Sequence, residues 1–274
     1  MKKLTSILLA IVLMGGLFWG CKKTDNQVAP VLPPETSMTI DFSTFTEKSA
    51  TIVTKNNLFV ASSIANVWNL ILGLNLVMPV SSFKLATKST PTFLGENKWE
   101  WKSNFDAVGG PYKARLIGLV GSSDVKWEMY ISKEGLVNAF SEMKWFEGSS
   151  LLNGKSGHWT LNHSKEFLEP FLQIDWEVVG TDIGKIKYTY IRDKNDDRSD
   201  EFRKSSSIEY GLTTGPLNAF YNAHQKTGVE VTSVSDINIE WNTTSYNGHI
   251  KSKNVFFDDL WHCWNEVGDD VDCN

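Results

Sequence analysis

The residues Asn56–Met78 read NNLFVASSIANVWNLILGLNLVM, the longest apolar stretch after the N-terminal twenty residues. Apolar side chains recur at helical spacing around most of the circumference, which predicts a helix buried on several sides. Asn56 and Asn57 are suitable N-cap residues, and Pro79 disfavours helical backbone at Met78, so the helix is expected near residues 56–77. Three Asn side chains interrupt the stretch, which favours a buried helix over a membrane span.

The chain around this helix alternates apolar and polar residues in short segments that Gly, Pro and Asn separate, a pattern typical of half-buried strands. The predicted strands are Met38–Phe42, Phe83–Thr87, Lys98–Phe105, Tyr112–Val120, Val125–Ser132, Ala139–Glu147, Gly157–Asn162, Leu172–Val179, Lys185–Ile191, Ser207–Leu212, Leu217–His224, Val229–Val234, Ile237–Trp241 and Gly248–Val255.

Short connections between so many strands favour an antiparallel meander. The predicted fold is mainly β, a curved or barrel-like antiparallel meander wrapped around the one apolar N-terminal helix. Two β-sandwich-like halves with the helix at one end are the alternative. A partly filled wrap can enclose a cavity for an apolar ligand, which Trp68, Ile71 and Leu72 of the helix are expected to line.

Several tryptophans stand beside an acidic residue, as in Trp127-Glu128, Trp176-Glu177 and Glu240-Trp241. Because neighbouring side chains of a strand point to opposite faces, each tryptophan is expected to face the core and each acid the solvent. An exposed tryptophan platform for stacking on sugars is the alternative.

The chain begins with two lysines and an apolar run, and residues 1–20 are predicted to be a secretory signal peptide. The signal ends in Leu17-Phe18-Trp19-Gly20-Cys21, which resembles the lipobox of bacterial lipoproteins. The resemblance implies that Cys21 is lipidated and becomes the first mature residue. A plain signal peptide that leaves a free cysteine is the alternative.

The resemblance also implies an address in the bacterial cell envelope. Lys22 follows the cysteine where an aspartate would signal retention in the inner membrane, so a lipid anchor in the outer membrane is expected, facing either the periplasm or the cell surface. Residues 21–36 are polar and Pro-rich, and they are predicted to be the lipid anchor and a disordered tether. Residues 37–274 are predicted to form a single all-β domain.

The 274 residues carry a net charge of −5, and removal of the signal peptide with Lys2 and Lys3 makes the charge −7. A mildly acidic chain without a basic run is a poor nucleic-acid binder, and none is expected as a partner. Once Cys21 is lipidated, Cys263 and Cys273 remain, and an oxidising compartment favours a disulfide between them. A metal site that includes His262 is the alternative.

No motif of a catalytic, phosphate-binding or cofactor site is evident, so no cofactor and no catalytic residue are predicted. Asp193, Asn195, Asp197 and Ser199 have the alternating spacing of a calcium loop, but the glycine and the bidentate acid of such loops are replaced, so the match is weak. The scattered acids Glu128, Glu142 and Glu147 could form a glycosidase pair only in three dimensions.

The expected function is therefore that of a non-enzymatic envelope lipoprotein that carries or docks an apolar ligand or an envelope protein. The membrane is its expected partner through the N-terminal lipid. One alternative is a surface lipoprotein that binds or hydrolyses glycans. The other is a structural subunit of the envelope without a small ligand.

Overall fold

The computed structural model describes residues 28–39, 57–107, 110–135, 138–192, 204–226 and 234–273. They form a mainly β structure with three helical segments: a 3₁₀ helix (Glu35–Met38), helix α1 (Asn57–Thr87) and the short helix α2 (Lys253–Phe256). The strands are β1 (Thr92–Gly95), β2 (Lys98–Ala107), β3 (Gly110–Val120), β4 (Asp124–Lys133), β5 (Phe140–Leu151), β6 (Ser156–Asn162), β7 (Pro170–Val179), β8 (Asp182–Tyr190), β9 (Ser207–Leu212), β10 (Ala219–Lys226), β11 (Val234–Trp241), β12 (Gly248–Lys251), β13 (His262–Trp264) and β14 (Asp270–Val271).

The fourteen strands of the described residues belong to one sheet, and each pairs antiparallel with the next along the chain. The β2–β3 ladder is continuous from the pair Lys98 and Leu119 to the pair Ala107 and Gly110. Strands β1 and β14 are the two edges, so the sheet is open. The predicted antiparallel meander is confirmed, with register shifts in several of its strand pairs.

The predicted strand limits agree best where turn residues border a strand on both sides. Ser207–Leu212 is a strand at the predicted residues. The strand predicted over Gly248–Val255 ends at Lys251, because the next residues begin helix α2. The strands predicted over Met38–Phe42 and Val229–Val234 lie almost wholly outside the described residues.

Helix α1 continues past Pro79 and ends at Thr87, so the end predicted near residue 77 and the strand predicted over Phe83–Thr87 are wrong. The apolar stripe of the first part continues beyond the proline, because Phe83 and Ala86 are fully buried on the same side. Burial of that stripe therefore overrides the local preference of proline for ending a helix.

Helix α1 buries one stripe, not several sides. The buried side chains are spaced three or four residues apart, and they are Leu58, Ala61, Ala65, Trp68, Leu72, Leu76, Pro79, Phe83 and Ala86. The opposite face is also apolar, but its side chains are 42–65% exposed, and they are Phe59, Val67, Leu70, Ile71 and Val77. The predicted burial on several sides is not confirmed, because the described parts of the chain cover only one face.

The inward face of helix α1 contacts strands from several parts of the sheet. At its start, the Asn57 amide N–H donates to Asp270 Oδ1 at 2.8 Å and its side chain donates to the Cys263 carbonyl at 3.0 Å. Farther along, the Phe83 ring packs edge-on against Trp159, with 5.2 Å between centroids. The helix also contacts β2 and β3 near one edge of the sheet and β12 and β13 near the other.

One row of the core-facing side of the sheet alternates tryptophan and glycine. Trp99, Gly118, Trp127, Gly148 and Trp159 are cross-strand neighbours on β2 to β6. A Cβ atom on either glycine would lie 2.6 Å from the indole of the following tryptophan. The glycines therefore provide the space that these indoles occupy.

The tryptophans that stand beside acids face the core, as the alternation predicts. Trp127, Trp176 and Trp241 are buried, whereas Glu177 is exposed and Glu128 and Glu240 are partly exposed. Glu100 differs because it is itself buried, and it is neutralised by Lys102 at 2.7 Å and Arg115 at 3.6 Å.

Residues 28–38 pack on the sheet, although most of them fall within the predicted tether. The Trp159 indole N–H donates to Ser37 Oγ at 3.0 Å, and the Tyr188 hydroxyl donates to the Met38 carbonyl at 3.0 Å. Ala29 and Leu32 pack against the core. The described domain therefore begins before residue 37, and residues 21–27 lie outside the described residues.

The C-terminal strands are joined by the predicted disulfide between Cys263 and Cys273, which excludes the alternative metal site with these two thiolates.

Among the described helices, no single one is long and apolar enough to cross a membrane. The segments Asn57–Gly73 and Asn75–Thr87, which meet at 61°, satisfy that criterion only when taken together, by length and composition.

Candidate functional site

A groove of about 280 Å³ lies where helix α1 meets one end of the sheet, and its inner surface is aromatic. Met78 of the helix lines it together with Tyr112 of β3 and with Phe140 and Trp145 of β5. The Tyr112 ring stacks on Phe105 of β2, with 5.5 Å between centroids and 15° between planes. We call the groove that Met78, Tyr112, Phe140 and Trp145 line the aromatic groove, and Phe105 supports one of its rings without lining it.

Strand alternation and one bulge place these rings on the side of the helix. Tyr112 has the same parity in β3 as the buried Ala114 and Leu116, so it points to the core-facing side of the sheet. In β5, Phe146 pairs with β4 residue Met129 while Lys144 pairs with the next β4 residue, so Trp145 is the extra residue of a β-bulge. Adjacent side chains of a regular strand point to opposite faces of the sheet. Because the bulge redirects one of them, both Trp145 and its neighbour Phe146 pack against the core.

Two lysines lie at the rim of the aromatic groove, over the faces of its rings. Lys133 Nζ is 5.9 Å from the centroid of Tyr112, and Lys165 Nζ is 5.9 Å from the centroid of Phe140. Lys165 also pairs with Glu166 at 3.5 Å, whereas no ion pair joins Lys133 to any described carboxylate. Apolar rings beneath ammonium groups suit a ligand that has an apolar body and an anionic group.

The opposite face of the sheet carries a second groove, of about 430 Å³, whose lining combines charged side chains with Ile117 and Leu119. Glu128 of β4 and Glu147 of β5 are directly opposite each other in this groove. Lys144 bridges them, with Nζ 3.6 Å from Glu128 and 2.5 Å from Glu147. The hydrogen bond that Lys144 donates to Glu147 raises the pKa of Lys144, so the bridging ammonium group is cationic at neutral pH.

This arrangement differs from a glycosidase pair, in which two carboxyl groups face a bond in the substrate. Here the ammonium group of Lys144 lies between the carboxylates, and Glu142 is bound to Arg115. A third groove, lined by Asp175, Glu177, Lys185, Lys187 and Glu209 among others, has the same character, with Lys185 2.7 Å from Glu209. Both grooves of this face are solvated ion-pair surfaces.

The three residues predicted to line an apolar cavity do not lie on one face of helix α1. Trp68 and Leu72 are buried against the sheet, while Ile71 is 46% exposed on the outward face of helix α1. None of the three lines any of the three grooves described above. The indole N–H of Trp68 is buried and has no hydrogen-bond partner among the described residues.

Two other predicted sites cannot be placed. Cys21 and the weak calcium loop with Asp193, Asn195, Asp197 and Ser199 lie outside the described residues. Within the parts of the chain that are described, no three His, Cys, Asp or Glu side chains are grouped so that they could hold a metal ion.

Sequence reasoning missed the aromatic groove. Phe105 and Tyr112 lie in predicted strands, and their parity indicated a core-facing position. Nothing in the local pattern indicated that these rings end at an opening, since Phe140, Lys133 and Lys165 meet there only through the pairing of β3, β4 and β5.

Comparison of the whole chain with protein-family models, with curated proteins and with solved structures gives no match. The function of the chain is therefore inferred from the geometry and chemistry of the site itself.

Proposed function

We propose that the chain is a lipid-anchored protein of the bacterial envelope that binds an amphipathic small ligand in the aromatic groove and does not transform it. The observation that carries this proposal is the pair Lys133 and Lys165 above the rings of Tyr112 and Phe140. Rings bind an apolar chain without requiring hydrogen bonds, and the two ammonium groups are placed to meet a carboxylate or phosphate at its end.

The contacts between helix α1 and the sheet support this proposal. Helix α1 contacts strands near both edges of the open sheet, as expected if the sheet curves around its inward face. Curvature of this kind leaves a mouth where the helix and the sheet diverge, and Met78 occupies that position in the aromatic groove.

The address is supported by the residues that precede the described structure. Leu17-Phe18-Trp19-Gly20-Cys21 has the spacing of a lipobox, and the Cys263–Cys273 disulfide suits an oxidising compartment. The Cys21→Ser variant is expected to leave the membrane fraction and to become a soluble exported protein. Retention of this variant in the membrane fraction would contradict the lipid anchor and leave the ligand site untouched.

The ligand proposal is tested by titrating the mature chain with cis-parinaric acid, a fluorescent fatty acid, and with its uncharged methyl ester. Lys133→Met and Lys165→Met together are expected to weaken fatty-acid binding about fivefold to tenfold, because each exposed ion pair contributes up to about 1 kcal/mol. Binding of the ester should not change. Phe140→Ser is expected to weaken the binding of both probes, because it removes apolar surface that both probes would contact.

Lys113→Met is the matched control, because Lys113 is a β3 lysine that pairs with Glu134 and does not line the groove. It should leave both titrations unchanged. Failure of the wild-type chain to bind either probe, or equal losses in Lys113→Met and in the double variant, would overturn the proposal.

A further inference from the structure

The loop that follows strand β12 presents large apolar side chains to solvent. Phe257 is 90% exposed and Leu260 is 65% exposed, the former more than any other large apolar side chain of the described residues. Phe257 also has a left-handed backbone with φ of 63°, which is rare for a bulky residue. Such an outlier persists only where the surrounding structure imposes it, and it is a reason to look for a function.

This loop is held in place on both sides of Phe257. The Phe257 N–H donates to the Lys253 carbonyl at 2.9 Å, which closes helix α2. The Phe256 ring stacks on His262 with 3.8 Å between centroids, and His262 Nε2 is 3.0 Å from Asp258 Oδ1. Lys251 pairs with Asp259 at 3.0 Å. The exposed side chains of Phe257 and Leu260 are therefore presented by a fixed scaffold, which lowers the entropic cost of binding a partner.

The surface around the loop is acidic. From Lys253 to Cys273 the chain has a single lysine and six acids, namely Asp258, Asp259, Glu266, Asp269, Asp270 and Asp272. The disulfide brings the last of them beside the loop, since Cys273 Sγ lies 3.1 Å from the Trp261 carbonyl oxygen. We define Phe257, Leu260 and these six acids as the C-terminal surface.

We propose that the C-terminal surface docks a basic polypeptide segment that carries apolar side chains of its own. Phe257 and Leu260 supply the apolar anchors. Asp258 and Asp259 already contact His262 and Lys251, so the charge complementary to lysine or arginine comes mainly from the other four acids. A bilayer surface rich in anionic lipid would be repelled by the same acids. The surface is separate from the aromatic groove, so this inference does not depend on the proposed ligand.

The test uses the mature chain and two synthetic amphipathic 14-residue peptides, one of leucine and lysine and one of leucine and glutamate. Calorimetry is expected to show that the lysine peptide binds at least tenfold more tightly. Phe257→Asn should weaken that binding at least tenfold and leave the unfolding temperature unchanged or higher, because Asn tolerates the left-handed backbone. Leu260→Ser should act in the same direction.

The charge part of the inference is tested by Asp269→Asn with Asp272→Asn, which should make the binding less sensitive to salt. Val179→Asn is the matched control, because Val179 is also an exposed apolar residue and lies beside the β7–β8 turn. It should not change the affinity.

Four results would overturn the proposal: no binding of the lysine peptide, equal binding of both peptides, binding that Phe257→Asn does not weaken, or a change in Val179→Asn as large as in Phe257→Asn. Phosphatidylcholine vesicles and sedimentation of the protein alone complete the test. Binding to vesicles that is lost in Phe257→Asn would assign the surface to lipid instead. Self-association that is lost in the same variant would assign it to a second copy of the chain.

Discussion

Leu72 and Leu70 lie two residues apart on helix α1, but Leu72 is 5% exposed and Leu70 is 65% exposed. The same contrast separates the two faces of the helix along its length. Both faces are apolar in sequence, yet only the face with Ala61, Ala65 and Leu72 contacts the sheet. Apolar composition thus predicts that a helix is buried, whereas the position of the sheet decides which face of the helix is buried.

The largest effect is expected from Phe83, compared with Val77 on the outward face of the helix. Phe83→Ala should lower the free energy of unfolding by about 3–5 kcal/mol, because it leaves a cavity beside Trp159 and Phe146. Val77→Ala should lower it by less than about 1 kcal/mol, because Val77 is 59% exposed on the outward face. Both values follow from denaturant unfolding, and similar losses would mean that the two faces are equally covered.

Leucine gives a sharper comparison because the residue type is the same on both faces. Leu72→Ala is expected to cost about 2–5 kcal/mol, and Leu70→Ala less than about 0.5 kcal/mol. Chemical denaturation of both variants, analysed with a common slope, measures the difference. A large loss in Leu70→Ala would show that another part of the chain or a second copy packs on the outward face.

The smallest effect concerns Asn69, which is exposed at the border between the two faces. Asn69→Ala should change the free energy of unfolding by about 0.5 kcal/mol or less, in the stabilising direction, because alanine has the higher helix propensity. Thermal unfolding is sufficient to detect the sign. A loss above about 1 kcal/mol would indicate that the amide of Asn69 has a partner and that the border is not solvated.

The grooves teach a similar lesson about the two faces of the sheet. On the outer face, Glu128, Glu147 and Lys144 neutralise one another, so the acids that sequence alone left as glycosidase candidates form an ion-pair network. On the core-facing side, Lys133 and Lys165 lie over aromatic rings. Charged side chains of the same type thus form an ion-pair network on one face and lie over aromatic rings on the other, and the pairing of the strands decides which of the two applies.

The sequence by itself determined the antiparallel meander, the inward direction of Trp127 and Trp176, and the pairing of Cys263 with Cys273. These properties depend on alternation, turn residues and cysteine number, which are local or countable. Alternation with a period of two is a direct consequence of strand geometry, so it needs no knowledge of the rest of the fold.

Only the tertiary structure decided that helix α1 continues past Pro79, that its second apolar face stays outward, and that Gly118 and Gly148 lie beneath tryptophan rings. It also decided that Tyr112 and Phe140 meet in a groove. Each of these properties depends on which strands become neighbours and in which register. Register is a relation between distant residues, and the free energy that selects it comes from packing that no single segment contains.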